Sequence, residues 1–192
     1  MLEFEHRALL ADLADGKFDA TVLAPDTREV HLRLFHELVP AGFEYYAGHY
    51  RGDDFTCLRH RQNRVGDILG APPGLVSARM ETLGQNMLLA IERLDEIHRD
   101  PLLSADRKLL RAVAVAARVM QEILTIHPYL DGNGHIARFL VWLLLMRYGY
   151  RPERISIEPR PADTRYIVGI REHRAGSVKS LQRYILSAIV ER

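Results

Sequence analysis

Eight consecutive apolar residues, Phe139 to Met146, constrain the fold of this chain more than any other feature. A helix built from them is apolar on every side, so it needs neighbours all around it. The run is far shorter than the roughly 20 residues that a transmembrane helix requires. We therefore expect a central helix that is wrapped by others. It should begin near Asn133 or Gly134 and end near Tyr148, with Gly149 as its C-terminal stop.

The periodicity of apolar residues predicts the surrounding helices. Apolar positions step by three or four from Leu75 to Ile97 and from Leu109 to Leu124, and Ser104 is a suitable N-cap for the second helix. Further helices are predicted at about 29–39, 162–173 and 177–190. Between 40 and 75 the chain is least helical, and Gly52-Asp53-Asp54 separates two short β-prone stretches, which predicts a β-hairpin at about 50–58. The predicted fold class is all-α with one small β-hairpin.

Length and composition favour one domain over residues 1–192, with a core at about 30–190 and an N-terminal extension at 1–29. The formal net charge of +1 gives no reason to expect nucleic acid or a membrane as a partner. Cys57 is the single cysteine, so no intramolecular disulfide can form, and the N-terminus lacks the apolar core of a signal peptide. A cytoplasmic location is expected.

The segment from His127 to Arg138 carries the candidate chemistry. Pro128 should end the preceding helix and hold His127 at its exit, where the imidazole could act as a base. Gly132 and Gly134 allow an anion to approach the N-terminus of the next helix.

Three further side chains complete the predicted site. Asn133 could add an amide donor, Asp131 is placed to hold a divalent cation, and Arg138 looks back at the loop from one turn along the helix. A base, a metal ligand and an anion hole at one place suit attack on phosphorus.

Simpler interpretations stand beside this one. A histidine before a proline is commonly only a helix-end residue, and Asp-Gly or Asn-Gly is commonly only a turn. His127, Asp131 and His135 are spaced four apart, so they could also ligate a transition metal on one helix face, although Pro128 and the glycines oppose a continuous helix there.

The segment resembles the signature of the Fic (filamentation induced by cAMP) family, His-Pro-Phe-x-(Asp/Glu)-Gly-Asn-Gly-Arg-x-x-Arg. The matching residues are His127, Pro128, Asp131, Gly132, Asn133, Gly134 and Arg138, with Tyr129 in place of the phenylalanine. The stretch from Ala47 to Arg51 is similar to the one that opens the family's β-hairpin flap.

The resemblance implies a protein adenylyltransferase that moves AMP from ATP to a side-chain hydroxyl of a target protein, with Mg²⁺ required. By this analogy His127 is the catalytic base, Asp131 holds Mg²⁺, and Gly132, Asn133, Gly134, His135 and Arg138 bind the nucleotide. The implied target-binding flap comprises His49, Tyr50, Arg51, Phe55, Thr56, Cys57 and Leu58, and it would pair with an extended target segment.

His135 stands where the family pattern has arginine. An imidazole lacks the permanent charge and the paired donors of a guanidinium. The chain could therefore transfer AMP with a weaker grip on phosphate, use another donor or transferred group, or only bind nucleotide. No segment gives the family's inhibitory Ser/Thr-x-x-x-Glu-Gly/Asn pattern in full, which leaves a separate antitoxin chain as a further partner.

Overall fold

Eight helices form most of residues 2–65 and 68–189, the part of the chain that this computed structural model describes (the side chains of Leu2, Glu3 and Val65 excepted). They are α1 (Leu2–Ala14), α2 (Ala20–Leu23), α3 (Arg28–Phe35), α4 (Val76–Arg99), α5 (Ala105–Ile126), α6 (Asn133–Met146), α7 (Thr164–Arg174) and α8 (Lys179–Ser187). Single 3₁₀ turns occupy Glu44–Tyr46 and Pro73–Leu75. The all-α prediction is confirmed.

Helix α6 is the central helix that its composition predicts. Its side chains from Ile136 to Leu145 are buried, except that Trp142 is partly exposed and donates its indole N–H to the Ile155 carbonyl at 2.6 Å. The helix packs mainly against α5 and also contacts α1. Gly149 has a φ of 79° just beyond the helix, and this conformation confirms its role as the stop.

The periodic helices also form where they are predicted, with shifts at the ends. Ser104 caps α5 by accepting a hydrogen bond from the Arg107 amide at 3.4 Å. Helix α3 ends at Phe35 instead of Val39, because the chain leaves the core there and turns toward Pro40. Helices α4 and α5 pack side by side, and α7 and α8 form a hairpin whose α8 lies against α5.

The β-hairpin is real, but its predicted position at 50–58 is wrong. Strands β1 (Arg64–Val65) and β2 (Ile68–Leu69) pair antiparallel, with Arg64 opposite Leu69 and Val65 opposite Ile68. Residues 51–60 form turns instead. Tyr50, Arg51 and Leu58 are buried there, so this segment is part of the packed body and has no free strand edge.

The segment 1–29, predicted only as an extension, contributes two helices. Leu9 and Leu13 of α1 join the same core cluster as the central helix, and α1 packs on α3 and α6. No helix in the described part of the chain is long and apolar enough to cross a bilayer.

Candidate functional site

The turn between α5 and α6 begins with His127 in an uncommon backbone conformation. Its φ of 56° and ψ of 58° are left-handed, and it is the one non-glycine with positive φ among the described residues. Histidine is one of the residue types enriched in this region. The predicted helix exit at His127 is confirmed, and the left-handed turn directs the ring away from the axis of α5.

Arg51 holds this exit turn in place from inside the protein. Its side chain is fully buried and donates to four carbonyl oxygens, those of His127 (2.7 Å), Arg61 (2.8 Å), Ala71 (3.0 Å) and Ile126 (3.0 Å). Its own amide donates to the Pro128 carbonyl at 2.8 Å. Arg51 therefore cannot contact a target as a flap residue, and its role is to support the turn that carries His127.

The hairpin β1–β2 is hydrogen-bonded to the same turn at one end and lies close to it at the other. The Asn63 amide donates to the carbonyls of Tyr129 (2.9 Å) and Leu130 (3.1 Å). After β2, a Cβ on Gly70 would come within 2.9 Å of the His127 Cβ. The hairpin that lies beside the candidate base is therefore 64–69.

Two residues shape the loop before α6. Gly132 has a φ of 76°, and a side chain there would meet the Phe35 ring at 2.4 Å, so the position requires glycine. The Asn133 side chain bridges the Tyr129 backbone, accepting from its N–H at 2.8 Å and donating to its carbonyl at 2.9 Å. The side-chain amide of Asn133 thus uses one of its two N–H donors to hold the loop, and donation from the second to an anion stays a prediction.

The N-terminus of α6 offers the donors that an anion site needs, because the first N–H groups of a helix have no partner within it. The Arg138 guanidinium lies beside it, since a Cβ on Gly134 would meet Arg138 Nη1 at 2.9 Å. Arg138 donates to the Ile157 carbonyl at 2.9 and 2.6 Å and to the Tyr166 hydroxyl at 3.2 Å. Of its five donors, two are left for a ligand. The predicted orientation of Arg138 toward the loop is confirmed.

His135 has a carboxylate partner that the sequence did not reveal. Its Nε2 lies 2.6 Å from Glu158 Oε2, and its ring is 5.1 Å from that of His6 and 5.5 Å from that of Phe35. Burial lowers the pKa of His135, and the hydrogen bond with Glu158 only partly opposes this shift. Where the family pattern has a permanent cation, this chain has an imidazole that binds an anionic side chain.

Asp131 is exposed, and one carboxylate oxygen accepts the Gly132 amide at 2.7 Å. The other oxygen is available to a cation. Mg²⁺ commonly uses one or two carboxylates together with phosphate oxygens and water, so this donor set fits Mg²⁺ held jointly with a nucleotide.

The transition-metal alternative fails on geometry. Over residues 2–65 and 68–189, no three His, Cys, Asp or Glu side chains come together as a metal site. His127 leaves α5 in a left-handed turn, whereas His135 lies inside α6 and binds Glu158. The three candidate ligands His127, Asp131 and His135 therefore do not share one helix face.

The His127 ring has the properties of a base that is neutral near pH 7. Burial lowers its pKa; the Leu124 carbonyl raises it slightly through a contact too loose to count as a hydrogen bond. The nearby cations Arg51 and Arg174 lower it further. Nδ1 is buried without a hydrogen bond, so Nε2 is the nitrogen that faces solvent. A neutral imidazole can accept a proton there.

His31 is a buried support for the loop. Its Nδ1 accepts the Gly48 amide at 3.0 Å, so Nε2 carries the proton and donates to the Asp131 carbonyl at 3.1 Å. Its ring stacks on that of Tyr129 with centroids 3.8 Å apart. Desolvation by burial lowers the pKa of His31 to about 4.

We expect this buried histidine to make folding sensitive to acid. The unfolded chain takes up a proton on His31 near pH 6.5 and the folded chain only near pH 4, so stability is complete above pH 6.5 and falls as the pH drops toward 4. The difference between the two pKa values corresponds to about 3 kcal/mol.

Urea unfolding between pH 7.5 and 4 measures this effect. His31→Gln should remove part of the dependence, while the lowered pKa values of His127, His135 and His173 keep the remainder. His36→Gln, at an exposed site, is the matched control. If the His31→Gln variant keeps the pH dependence of the original chain, His31 is not a source of the acid sensitivity.

The other predicted flap residues lie in a cluster beside the hairpin. Tyr45 stacks on Phe55 with centroids 4.7 Å apart, and His49 meets the edge of the same ring at 4.6 Å. Tyr46 and Tyr45 lower the pKa of the half-buried Cys57 by hydrogen bonding. Thr56 is exposed.

Sequence analysis missed Asn63, Gly70, His31 and Glu158. One signal was available for the hairpin, because Gly66-Asp67 separates two β-prone pairs and a glycine-first dipeptide is typical of a two-residue hairpin turn. Glu158 lies 23 residues from His135 and gave no comparable signal.

The structure thus combines a helical body, a candidate anion-binding loop between its central helices α5 and α6, and a hairpin attached to that loop. The match to known proteins then identifies the family: residues 22–145 fit the model of the Fic/DOC family, and the chain belongs to it.

Two relatives and one solved structure are similar to this chain. The chain is 34% identical over 188 residues to protein adenylyltransferase Fic of Drosophila willistoni, covering 94% of this chain and 32% of that protein. It is 27% identical over 169 residues to the protein of the same name from Drosophila sechellia, covering 88% and 28%. The chain thus spans less than a third of the length of these relatives.

The solved structure is that of the BepC protein, a VirB-translocated Bartonella effector protein, with bound AMPPNP, from Bartonella tribocorum. The TM-score is 0.67 at 16% identity, over 99% of this chain and 86% of that one. This likeness supports the helical fold described above.

Proposed function

We propose that this chain is a protein adenylyltransferase that transfers AMP from ATP to a tyrosine, serine or threonine hydroxyl of a target protein and releases pyrophosphate. One observation supports the proposal: His127 leaves α5 in a left-handed turn with its pKa lowered by burial, and the loop that follows leads into the N-terminus of α6. The names of the relatives agree with this activity.

In this proposal the backbone N–H groups of Asn133 and Gly134 bind phosphate oxygens, and the two remaining donors of Arg138 bind the distal phosphate. Gly132 contributes its left-handed turn, which opens the loop to the phosphate, while its own amide donates to Asp131. The target hydroxyl gives its proton to His127 Nε2 while its oxygen bonds to the α-phosphorus. The bond from that phosphorus to the bridging oxygen breaks, and pyrophosphate carries the electron pair away. Asp131 would hold Mg²⁺, which supplies charge neutralisation between phosphates.

The target-binding flap in this proposal is β1–β2, which replaces the segment His49–Leu58. Ile68 and Leu69 are 46% and 55% exposed, so the hairpin offers both apolar side chains and unpaired backbone to an extended segment. The hydrogen bonds of Asn63 and of the Ala71 amide, which donates to the Ile126 carbonyl at 3.0 Å, hold it close to His127.

The test is transfer of label from ATP labelled at the α-phosphate, with Mg²⁺ and cell lysate. Transfer of label to protein supports the proposal. If no label moves to protein from ATP, GTP, CTP or UTP, the proposal fails and the remaining alternative is a module that only binds nucleotide. Nucleotide-dependent thermal stabilisation would then identify that alternative.

Glu158 favours a second candidate, transfer from a donor with less charge at its distal end. Arg138 binds the Ile157 carbonyl, so the neighbouring Glu158 carboxylate lies on the same side of the site, where it meets His135. A carboxylate there repels the distal phosphate of a triphosphate.

Glu158→Gln tests this effect, because it keeps a hydrogen-bonding partner for His135 and removes the charge. We expect the KM for ATP to fall about threefold to tenfold, the scale of one partly screened charge. Glu153→Gln, an exposed carboxylate on the same connection, should leave the KM unchanged. Equal values for the two variants would show that Glu158 does not act on the donor.

A single domain over residues 1–192, a cytoplasmic location and an inhibitory antitoxin partner complete the proposal. The shared core of α1 and α6 supports the first, and the single cysteine supports a reducing compartment.

A further inference from the structure

A long groove lies on the face of α5 between α4 and α8. It encloses about 1620 Å³, and its apolar lining comes from all three helices, including Leu83, Met87, Leu94, Leu110, Ala114 and Leu186. Leu110 is 52% exposed at the floor. The groove contains none of the residues placed at the nucleotide site.

The rim of this groove is strongly basic. Among the residues that the structure describes, seven arginine or lysine side chains line it, against one carboxylate, Glu122. Arg93 and Arg118 are paired with Glu96 and Glu122. The other five are exposed and, within the described ranges, form no ion pair: Arg79, Arg107, Arg111, Lys179 and Arg183. A chain of net charge +1 thus concentrates unpaired positive charge on one apolar groove.

The size of the groove matches one helix. The α5 residues that line it run from Arg107 to Ile126, which at 1.5 Å per residue gives about 28 Å, or about five helical turns. An amphipathic helix buries its apolar face in such a groove and leaves its flanks at the rim.

We propose that this groove binds an amphipathic helix of a partner protein, with leucine-type residues on one face and acidic residues flanking them. The lining contains no Phe, Tyr, Trp or His, so single-stranded nucleic acid would find no aromatic platform for its bases. A second copy of this groove would present the same cations and repel the first. The charge of the rim therefore selects an acidic protein helix.

The test uses an 18-residue fluorescein-labelled peptide with leucines at helical spacing and glutamates beside them, titrated with the full chain at 150 mM salt. We expect micromolar binding and at least tenfold weaker binding by two control peptides, one with lysine for every glutamate and one scrambled. The double variant Arg111→Glu with Arg183→Glu should weaken binding at least tenfold. Arg171→Glu, an exposed arginine on α7, should change it less than twofold.

A benzophenone on the apolar face of the peptide should crosslink to α4, α5 or α8. If the double variant loses its helical circular dichroism, Arg79→Glu with Arg107→Glu replaces it. Equal affinity for the scrambled peptide, crosslinks elsewhere or no effect of both charge reversals would overturn the proposal. Tighter, variant-sensitive binding of a (dT)₁₈ oligonucleotide would also overturn it, in favour of nucleic acid.

Discussion

His127→Ala should lower the kcat of the proposed AMP transfer by about two to four orders of magnitude, the usual contribution of a positioned general base. The KM for ATP should change little, because the phosphate-binding N–H groups belong to α6 and Arg138 is held by Ile157 and Tyr166. Steady-state transfer of labelled AMP gives both constants.

His127→Asn is the variant that separates chemistry from backbone strain. Asparagine accepts the left-handed conformation of this position, so the turn should persist, but its amide cannot take a proton. Both variants should lose activity equally while ATP still raises the Tm. If either retains transfer within tenfold of the natural chain, His127 is not the base.

The pH dependence of kcat gives an independent readout. A base must be unprotonated, and burial holds the pKa of His127 below its ordinary 6.5. The acidic limb of the rate profile should therefore lie below pH 6.5 and disappear in both variants.

Local spacing was enough to predict the features set by neighbouring residues. The helix exit at His127, the glycines that open α6 and the return of Arg138 to Gly134 all depend on separations of a turn or less. Such features follow from local backbone geometry, which a short stretch of sequence determines.

The features that sequence analysis assigned wrongly depend on distant partners. Arg51 has the charge of a surface residue, and only the carbonyls of Ala71, Ile126 and His127 make it a buried support. The hairpin could have formed at Gly52 or at Gly66 by turn chemistry alone. Asn63, which binds the loop of residues 129–130, fastens it at 64–69.

Arg51→Met should cost about 3–5 kcal/mol of unfolding free energy, the upper end for a single substitution. Methionine fills the space of the side chain but leaves four carbonyls without their charged donor, each bond being worth about 1.5–3 kcal/mol. Removing a buried cation returns several kcal/mol of desolvation energy, and the balance still favours arginine. Burial lowers the pKa of Arg51, in agreement with that desolvation.

Denaturant unfolding followed by circular dichroism measures this loss, with Arg59→Met as the matched control. Arg59 is exposed and, among the described residues, pairs with Asp54 alone, so its substitution should change stability by less than about 0.5 kcal/mol. Arg51→Lys keeps the charge but cannot reach all four carbonyls. Its unfolding free energy should therefore lie between those of the Arg51→Met and Arg59→Met variants. Because the carbonyls of Ile126 and His127 lose their common donor, the folded fraction of the Arg51→Met variant should also show a lower kcat at unchanged KM for ATP. An Arg51→Met chain as stable as the Arg59→Met control would show that the turn carrying His127 holds its conformation without the Arg51 hydrogen bonds.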